Sequence, residues 1–275
     1  MQEHATQHHV PRTPRLRLGL LALSQVAVVG LWWLVGWKSG LAALVLTHGA
    51  VLWSTFNPRS QLFCPALVRL PGEAKQVWLT IDDGPSDDTL PILDLLDARG
   101  ARATFFLVGE RVRARPELVR EIVRRGHGVG NHSDSHPQAA FWRLGPATLE
   151  AEIAANQRTL AEVAGSAPCW FRSVVGHTNP FIAPILARHG LTRVAWSARG
   201  FDGVSCTPDQ VLSRIEPDLK PGAIVLLHEG AAHGHNVEIL RRVLVALETR
   251  GLAAALAPNR HSREGGNPAP LLRKA

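Results

Sequence analysis

The sequence predicts an α/β fold, a small and incompletely closed parallel barrel of roughly seven βα units, preceded by one or two membrane-spanning helices. Three observations carry this expectation. From residue 76 onward, short apolar runs bounded by Gly and Pro alternate with stretches of helical apolar spacing, the pattern of parallel strands joined by crossover helices. The polar residues able to do chemistry follow those runs directly, where parallel α/β folds display reactive groups. Ahead of them lie two stretches without Asp, Glu, Lys or Arg, 18–37 and 41–56.

In chain order, residues 1–17 hold His4, His8, His9, Arg12, Arg15 and Arg17 and read as a disordered basic lead-in. Residues 18–57 form the anchor. The first stretch is long enough to span and ends in Trp32, Trp33 and Trp37, residues suited to the membrane interface. Lys38-Ser39-Gly40 then interrupts it. Two readings stand, a tight hairpin or a single span followed by an interfacial segment. Arg12, Arg15 and Arg17 before the anchor and Arg59 and Arg69 after it, against Lys38 alone in the turn, favour a hairpin with both ends in the cytoplasm. A single span would export everything after it, so a bacterial inner membrane is expected with the side of the downstream domain open. A cleavable signal fits less well, because the run is too long and ends in tryptophans.

Residues 58–75, with Pro58, Pro65 and Pro71, read as a linker, and 76–258 as the main domain. Strands are expected at 76–81, 102–108, 127–130, 167–171, 191–196, 223–227 and 252–256, and helices at 89–99, 110–125, 147–164, 180–189, 208–215 and 237–250. Asp87 or Asp88 should cap the first helix of the domain and Gly100 should end it, while Pro116 should restart the second. Residues 259–275 show no periodicity and read as a disordered tail.

The formal charge of +7 is carried mostly by the ends, +2 in residues 1–17 and +3 in 259–275. The remaining +2 leaves no basic stripe, which argues against nucleic acid as a partner. Cys64, Cys169 and Cys206 are an odd count without CxxC and read as free, buried thiols.

The chemistry collects at strand ends. Asp82 and Asp83 close the first apolar run, and two neighbouring carboxylates repel unless a cation neutralises one of them. A divalent metal bound to one would leave the other ionised as a base, and the alternative is an Asp-Asp-Gly turn that caps a helix. His132 and His136, four apart, face one ion if their segment takes a helical turn. With Asp83 they make two nitrogens and a carboxylate, a set that suits catalytic zinc and also non-haem iron. Arg172, Asp202 and His228 follow later strands. His177, His233 and His235 fall in loops after strands, where they either line a ligand subsite or are solvated. Trp142 and Trp170 either stack on a sugar or pack in the core.

Thr80-Ile81-Asp82-Asp83-Gly84, His132-Ser-Asp-Ser-His136, Phe171-Arg172, Asp202 and Leu226-Leu227-His228 stand in the order seen in polysaccharide deacetylases of the NodB-homology group, and residues 76–257 resemble that family. The resemblance implies a distorted (β/α)7 barrel and a hydrolase that removes N-acetyl, or related acyl, groups from a saccharide. It also implies zinc, with cobalt or nickel as alternatives, held by Asp83, His132 and His136. Asp82 then resembles the general base, His228 the general acid, and Arg172 the residue orienting the base, with Asp202 matching the motif before the acid. The Val175 N–H would face the oxyanion and Leu226 would wall the acetyl pocket. Two departures bear on the substrate: Ser173-Val174-Val175-Gly176 follows Arg172 where the family has prolines and an aromatic, and Arg199 stands where an Asp is common. Arg199 either meets an anionic or lipid-phosphate-linked sugar or forms a surface salt bridge. The rival functions are a non-catalytic saccharide-binding relative and a 2-His-1-carboxylate iron enzyme. Asp82 and His228 count against the first, and the βα alternation counts against the second.

Overall fold

The computed structural model describes residues 11–72 and 74–257. The expected lead-in up to residue 10 and the tail at 259–275 lie outside the described residues. Two helices come first, α1 (Pro14–Leu34) and α2 (Trp37–Phe56). At about 1.5 Å per residue each is about 30 Å long, the depth of a bilayer's hydrocarbon layer. Both are long and apolar enough to cross a membrane, and little of either is buried. They pack on each other as a hairpin. The chain turns at Val35 and Gly36, and Lys38, Ser39 and Gly40, expected to interrupt the helices, lie inside α2.

The main sheet is wholly parallel. Its strands are β1 (Gln76–Gly84), β2 (Ala103–Leu107), β3 (Gly128–Asn131), β4 (Trp170–Phe171), β5 (Thr192–Arg193), β6 (Ala198–Arg199), β7 (Ile224–His228) and β8 (Ala253–Ala254). They run in the order β5-β4-β3-β2-β1-β7-β6, with β8 pairing the start of β1. Because β5 and β6 are its two edges, the sheet curls into a barrel that does not close. The connecting helices are α3 (Thr89–Ala98), α4 (Gly109–Ala114), α5 (Pro116–Arg124), α6 (Pro146–Ala164), α7 (Ile182–Arg188), α8 (Pro208–Ile215) and α9 (Asn236–Thr249). Pro116 does restart the second of the domain's helical stretches, since it opens α5 after a break at Arg115.

Alternation along β1 sorts its side chains into two layers. Val77, Leu79 and Ile81 join a core with Ile92, Leu96, Ile122 and Val243 from the helices. Trp78 faces the barrel interior with Phe106, Trp170, Trp196 and Leu226. Thr80 and Asp82 share the parity of Trp78 and point inward too. Trp170 is therefore a packing residue, its ring 4.9 Å from that of Trp78.

Two expectations change at the barrel opening. The strand expected at 191–196 is short, because Val194 and Ala195 leave β5 to pair with Leu67. The chain then re-enters the sheet at the far edge as β6, a strand that apolar periodicity did not announce. The segment expected as a linker is built into this gap. Phe63, Cys64 and Ala66 are buried, and the buried Arg193 guanidinium donates to the carbonyls of Ser60 and Cys64. None of the three cysteines is in a disulfide, and Cys64 and Cys206 are buried while Cys169 is half-buried.

The end of α2 docks on the same side. Thr178 N–H donates to Thr55 O at 3.0 Å, and Phe56 packs its ring against His177 and Trp142. Arg59 donates to the carbonyls of Trp196 and Ser197 at 3.1 and 2.9 Å. Gly176, at φ +77°, is pressed between Trp196 and Pro58 and has no room for a Cβ.

Candidate active site

Successive residues of a strand point to opposite faces, so two adjacent carboxylates at one mouth require a break in the ladder. The pairing of β1 with β2 slips between Asp82 and Gly84, and Asp83 takes φ +71°. A bulge of this kind re-aims a side chain beside a site. It turns Asp83 to the side that Asp82 already faces. Gly84 is needed next because a Cβ there would run into the Glu229 carboxylate.

Asp82 is buried and accepts from Arg172 Nη1 at 2.7 Å. Arg172 is itself fully buried and also donates to Thr80 Oγ1 at 2.7 Å and Ala195 O at 3.2 Å, with its guanidinium 4.2 Å from the Phe106 ring. Burial lowers the Arg172 pKa, and the Asp82 carboxylate opposes that fall. A buried pair of this kind fixes geometry, because neither charge can leave without stranding the other.

His132 and His136 follow β3 on a loop. The expected helical turn is absent. Ser133 at φ +66° and His136 at φ +53° fold the segment back instead, and the Glu152 carboxylate of α6 accepts the N–H groups of Asp134 and Ser135 at 3.0 and 2.9 Å. His132 Nδ1 lies 2.8 Å from Arg172 O, a carbonyl that can only accept, so in the neutral ring Nε2 carries the lone pair. His132 Nε2 and His136 Nε2 then lie 3.3 and 3.0 Å from Asp83 Oδ1, which is buried and has no aligned hydrogen bond. Burial would raise the Asp83 pKa, but the facing imidazoles hold it well below the usual carboxylate range. Three acceptor atoms within 4.8 Å of one another are a donor set for a cation.

On the other side, the β1–β7 pairing sets Asp82 opposite His228. Asp202 is fully buried and accepts twice from His228, from its backbone N–H at 2.7 Å and from Nδ1 at 2.9 Å. Burial alone would lower the His228 pKa, but Asp202, with help from Asp82 and Asp83, pushes it up to about 9. These groups line a cavity of about 110 Å³ with Val175, Leu226, Arg199, Gln138 and Phe201.

The family profile described as polysaccharide deacetylase matches residues 69–194. A chitooligosaccharide deacetylase from Bradyrhizobium sp. (strain ANU 289) is 32% identical over 201 residues, 68% of this chain and 91% of that one. The chain belongs to the polysaccharide deacetylase family. A peptidoglycan-N-acetylglucosamine deacetylase from Bacillus cereus is 30% identical over 193 residues, 69% of each chain. A family 4 carbohydrate esterase from Streptomyces lividans, solved with acetate, superposes with a TM-score of 0.61 at 32% identity, covering 67% of this chain and 94% of its own.

In this polysaccharide deacetylase the ten site residues expected from sequence meet at one mouth: eight line the cavity, Arg172 bonds Asp82, and Asp202 lies behind His228. The weaker candidates are placed otherwise. His233 Nε2 bonds Asp202 O at 2.7 Å and so braces the loop behind His228, while Trp142 packs on Phe56. The surface salt bridge weighed for Arg199 is absent among the described residues. Asp88 sits at the start of α3, but its carboxylate accepts from Gly230 N–H at 2.9 Å instead of capping the helix.

Glu229 was not visible in the sequence. It is buried directly after His228, accepts from Ser86 Oγ at 2.8 Å and from Thr89 Oγ1, and leaves Oε1 unpartnered. Burial raises its pKa to about 7, against the pull of Thr89 and Ser86. Through it the ends of β1 and β7 hold each other. Nothing in a Glu after a His announces this, because its partners are 140 and 143 positions away.

Proposed function

We propose that the protein is a membrane-anchored, metal-dependent deacetylase that hydrolyses the N-acetyl group of a saccharide of the cell envelope, polymeric or lipid-linked. The observation that carries this reading is the set of three inward acceptors, Asp83 Oδ1, His132 Nε2 and His136 Nε2, with Asp82 beside them and the His228–Asp202 pair opposite. A divalent ion would be held there by Asp83, His132 and His136, zinc being the metal the family resemblance implies, and would supply a Lewis acid for the acetyl carbonyl and for water.

The chain's own residues do the rest. Asp82, held in place by Arg172, takes the proton of the attacking water. His228, protonated at neutral pH and held at Nδ1 by Asp202, presents Nε2 to the amide nitrogen and donates the proton that lets the amine leave. The products are acetate and a free amino sugar. Val175, at φ +55°, turns its backbone within the cavity, where its N–H suits a developing oxyanion, and Leu226 walls the acetyl methyl.

The helices α1 and α2 form the anchor as a hairpin, which returns the domain to the side of Arg12, Arg15 and Arg17, the cytoplasmic side by the positive-inside rule. The test is acetate release by the full chain in detergent from N-acetylated sugars and from membrane lipid extract, with chelator and with added zinc. Chelator-sensitive release is expected; the absence of release from metal-loaded protein on every substrate refutes the reading.

A further inference from the structure

The carboxylates of the pocket are each answered by a neighbour. Asp82 meets Arg172, Asp83 faces His132 and His136, and Asp202 takes both bonds from His228. Arg199 is the cation that none of them bonds, although the charges of Asp202 and Asp82 reach it. It stands on β6 in register with Leu226 and lines the cavity, and its side chain has no ion pair or hydrogen bond among the described residues. Its Nε is buried without a partner.

Its position is held all the same. The guanidinium packs against two rings, its Cζ 5.0 Å from the centre of Trp196 and 4.4 Å from that of Phe201. Phe201 takes φ +62°, an uncommon conformation for a bulky side chain, and Phe201 is itself half exposed at 48%. Strain spent on covering a cation that bonds nothing suggests a ligand. Ring contacts satisfy none of the guanidinium N–H groups, which stay available as donors. Those groups match the two oxygens of a phosphate or carboxylate, and a neutral hydroxyl does not repay the desolvation of a charge.

We propose that Arg199 is a specificity residue that binds an anionic group, a phosphate ester or a carboxylate, carried by the acetylated saccharide. The proposal rests on the deacetylase reading and deepens it by naming the substrate's charge.

The test uses the full chain in detergent with three ligands: N-acetylglucosamine, N-acetylglucosamine 1-phosphate and N-acetylmuramic acid. In the wild type, kcat/KM for one of the anionic sugars should exceed that for the neutral sugar by roughly tenfold or more, and the preference should shrink in high salt. Arg199→Met should remove the preference and Arg199→Lys should keep part of it. The favoured anion identifies the source of charge. Equal rates for all three in the wild type, or an undiminished ratio in Arg199→Met, overturn the proposal. Calorimetric binding of the same ligands to chelator-treated protein decides the matter even if no sugar is turned over. Tighter anion binding that Arg199→Met abolishes supports the anion site while the deacetylase reading falls; equal binding of the three ligands overturns the site. If Arg199→Met does not fold, Arg199→Lys and the salt series decide between the two outcomes: a preference that weakens in both supports the site, and one that changes in neither overturns it.

Discussion

An Asp202→Asn substitution isolates what protonates His228. The carboxylate of Asp202 is fully buried, bonds Nδ1 at 2.9 Å, and is the chief reason the imidazole pKa stands at about 9 and not at 6.5. Asparagine keeps one acceptor oxygen, turned to the ring Nδ1 that Asp202 Oδ1 now holds, puts an NH2 where Oδ2 accepted the backbone N–H, and removes the charge. Burial then acts unopposed by its main counterweight, and the pKa falls to the ordinary value or below. That change of at least about 2.5 units corresponds to about 3 kcal/mol, and at about pH 7.5 it cuts the protonated fraction from nearly all to roughly a tenth. The assay is kcat/KM against pH with metal content measured on the same samples. Wild type should hold its rate up to an alkaline limb near 9, while the variant should lose about tenfold at pH 7.5, recover partly towards pH 6, and keep its metal. An alkaline limb that stays in place would mean that His228 is not the proton donor or that Asp202 does not set its charge.

Asp82→Asn should retain metal and lower kcat roughly 10² to 10⁴-fold, whereas His132→Ala should lose both metal and activity; equal metal loss in the two would overturn their separate roles. Arg172→Met leaves a buried Asp82 without its cation and should cost roughly 3–5 kcal/mol in denaturant unfolding, far more than any exposed arginine. Glu229 titrates at about 7 in the fold and near 4.5 when unfolded, so the folded protein holds a proton that the unfolded chain has lost between those values. Its contribution is complete below pH 4.5 and disappears as pH rises through 7, so Glu229→Gln should flatten the fall in thermal midpoint across that range, by up to about 3 kcal/mol. Gly176→Ala should destabilise the protein, since it forces a side chain into a φ of +77° against Trp196 and Pro58.

The strand ends were legible because burial leaves a strong mark: Val77 to Ile81, broken only by Thr80, and Ile224 to Leu227 are apolar runs, and a charged residue that follows such a run has few reasons to be there. Parallel alternation then placed Asp82, His132, Arg172 and His228 at one mouth. What escaped was backbone detail. His132 and His136 converge through two residues with positive φ, and Asp83 through a bulge, neither of which apolar spacing encodes. The β6 strand is two residues long, too short for any periodicity, and the prolines at 58, 65 and 71 read as a linker although the segment between them fills the barrel opening. Glu229 escaped because its partners are set by the tertiary fold alone.

The docking of α2 has a practical consequence for how the protein can be handled. Cutting before Pro58 to obtain a soluble fragment would remove the carbonyl that accepts Thr178 N–H and the Phe56 ring that covers His177. It would also free the segment whose Arg59 braces Trp196 and Ser197, next to the strand that bears Arg199. The loop with Val175 would then lose its outer wall. Such a fragment should bind metal through an untouched Asp83, His132 and His136 while handling substrate poorly, so a weak truncated enzyme would be an artefact of the cut and no measure of the intact catalyst.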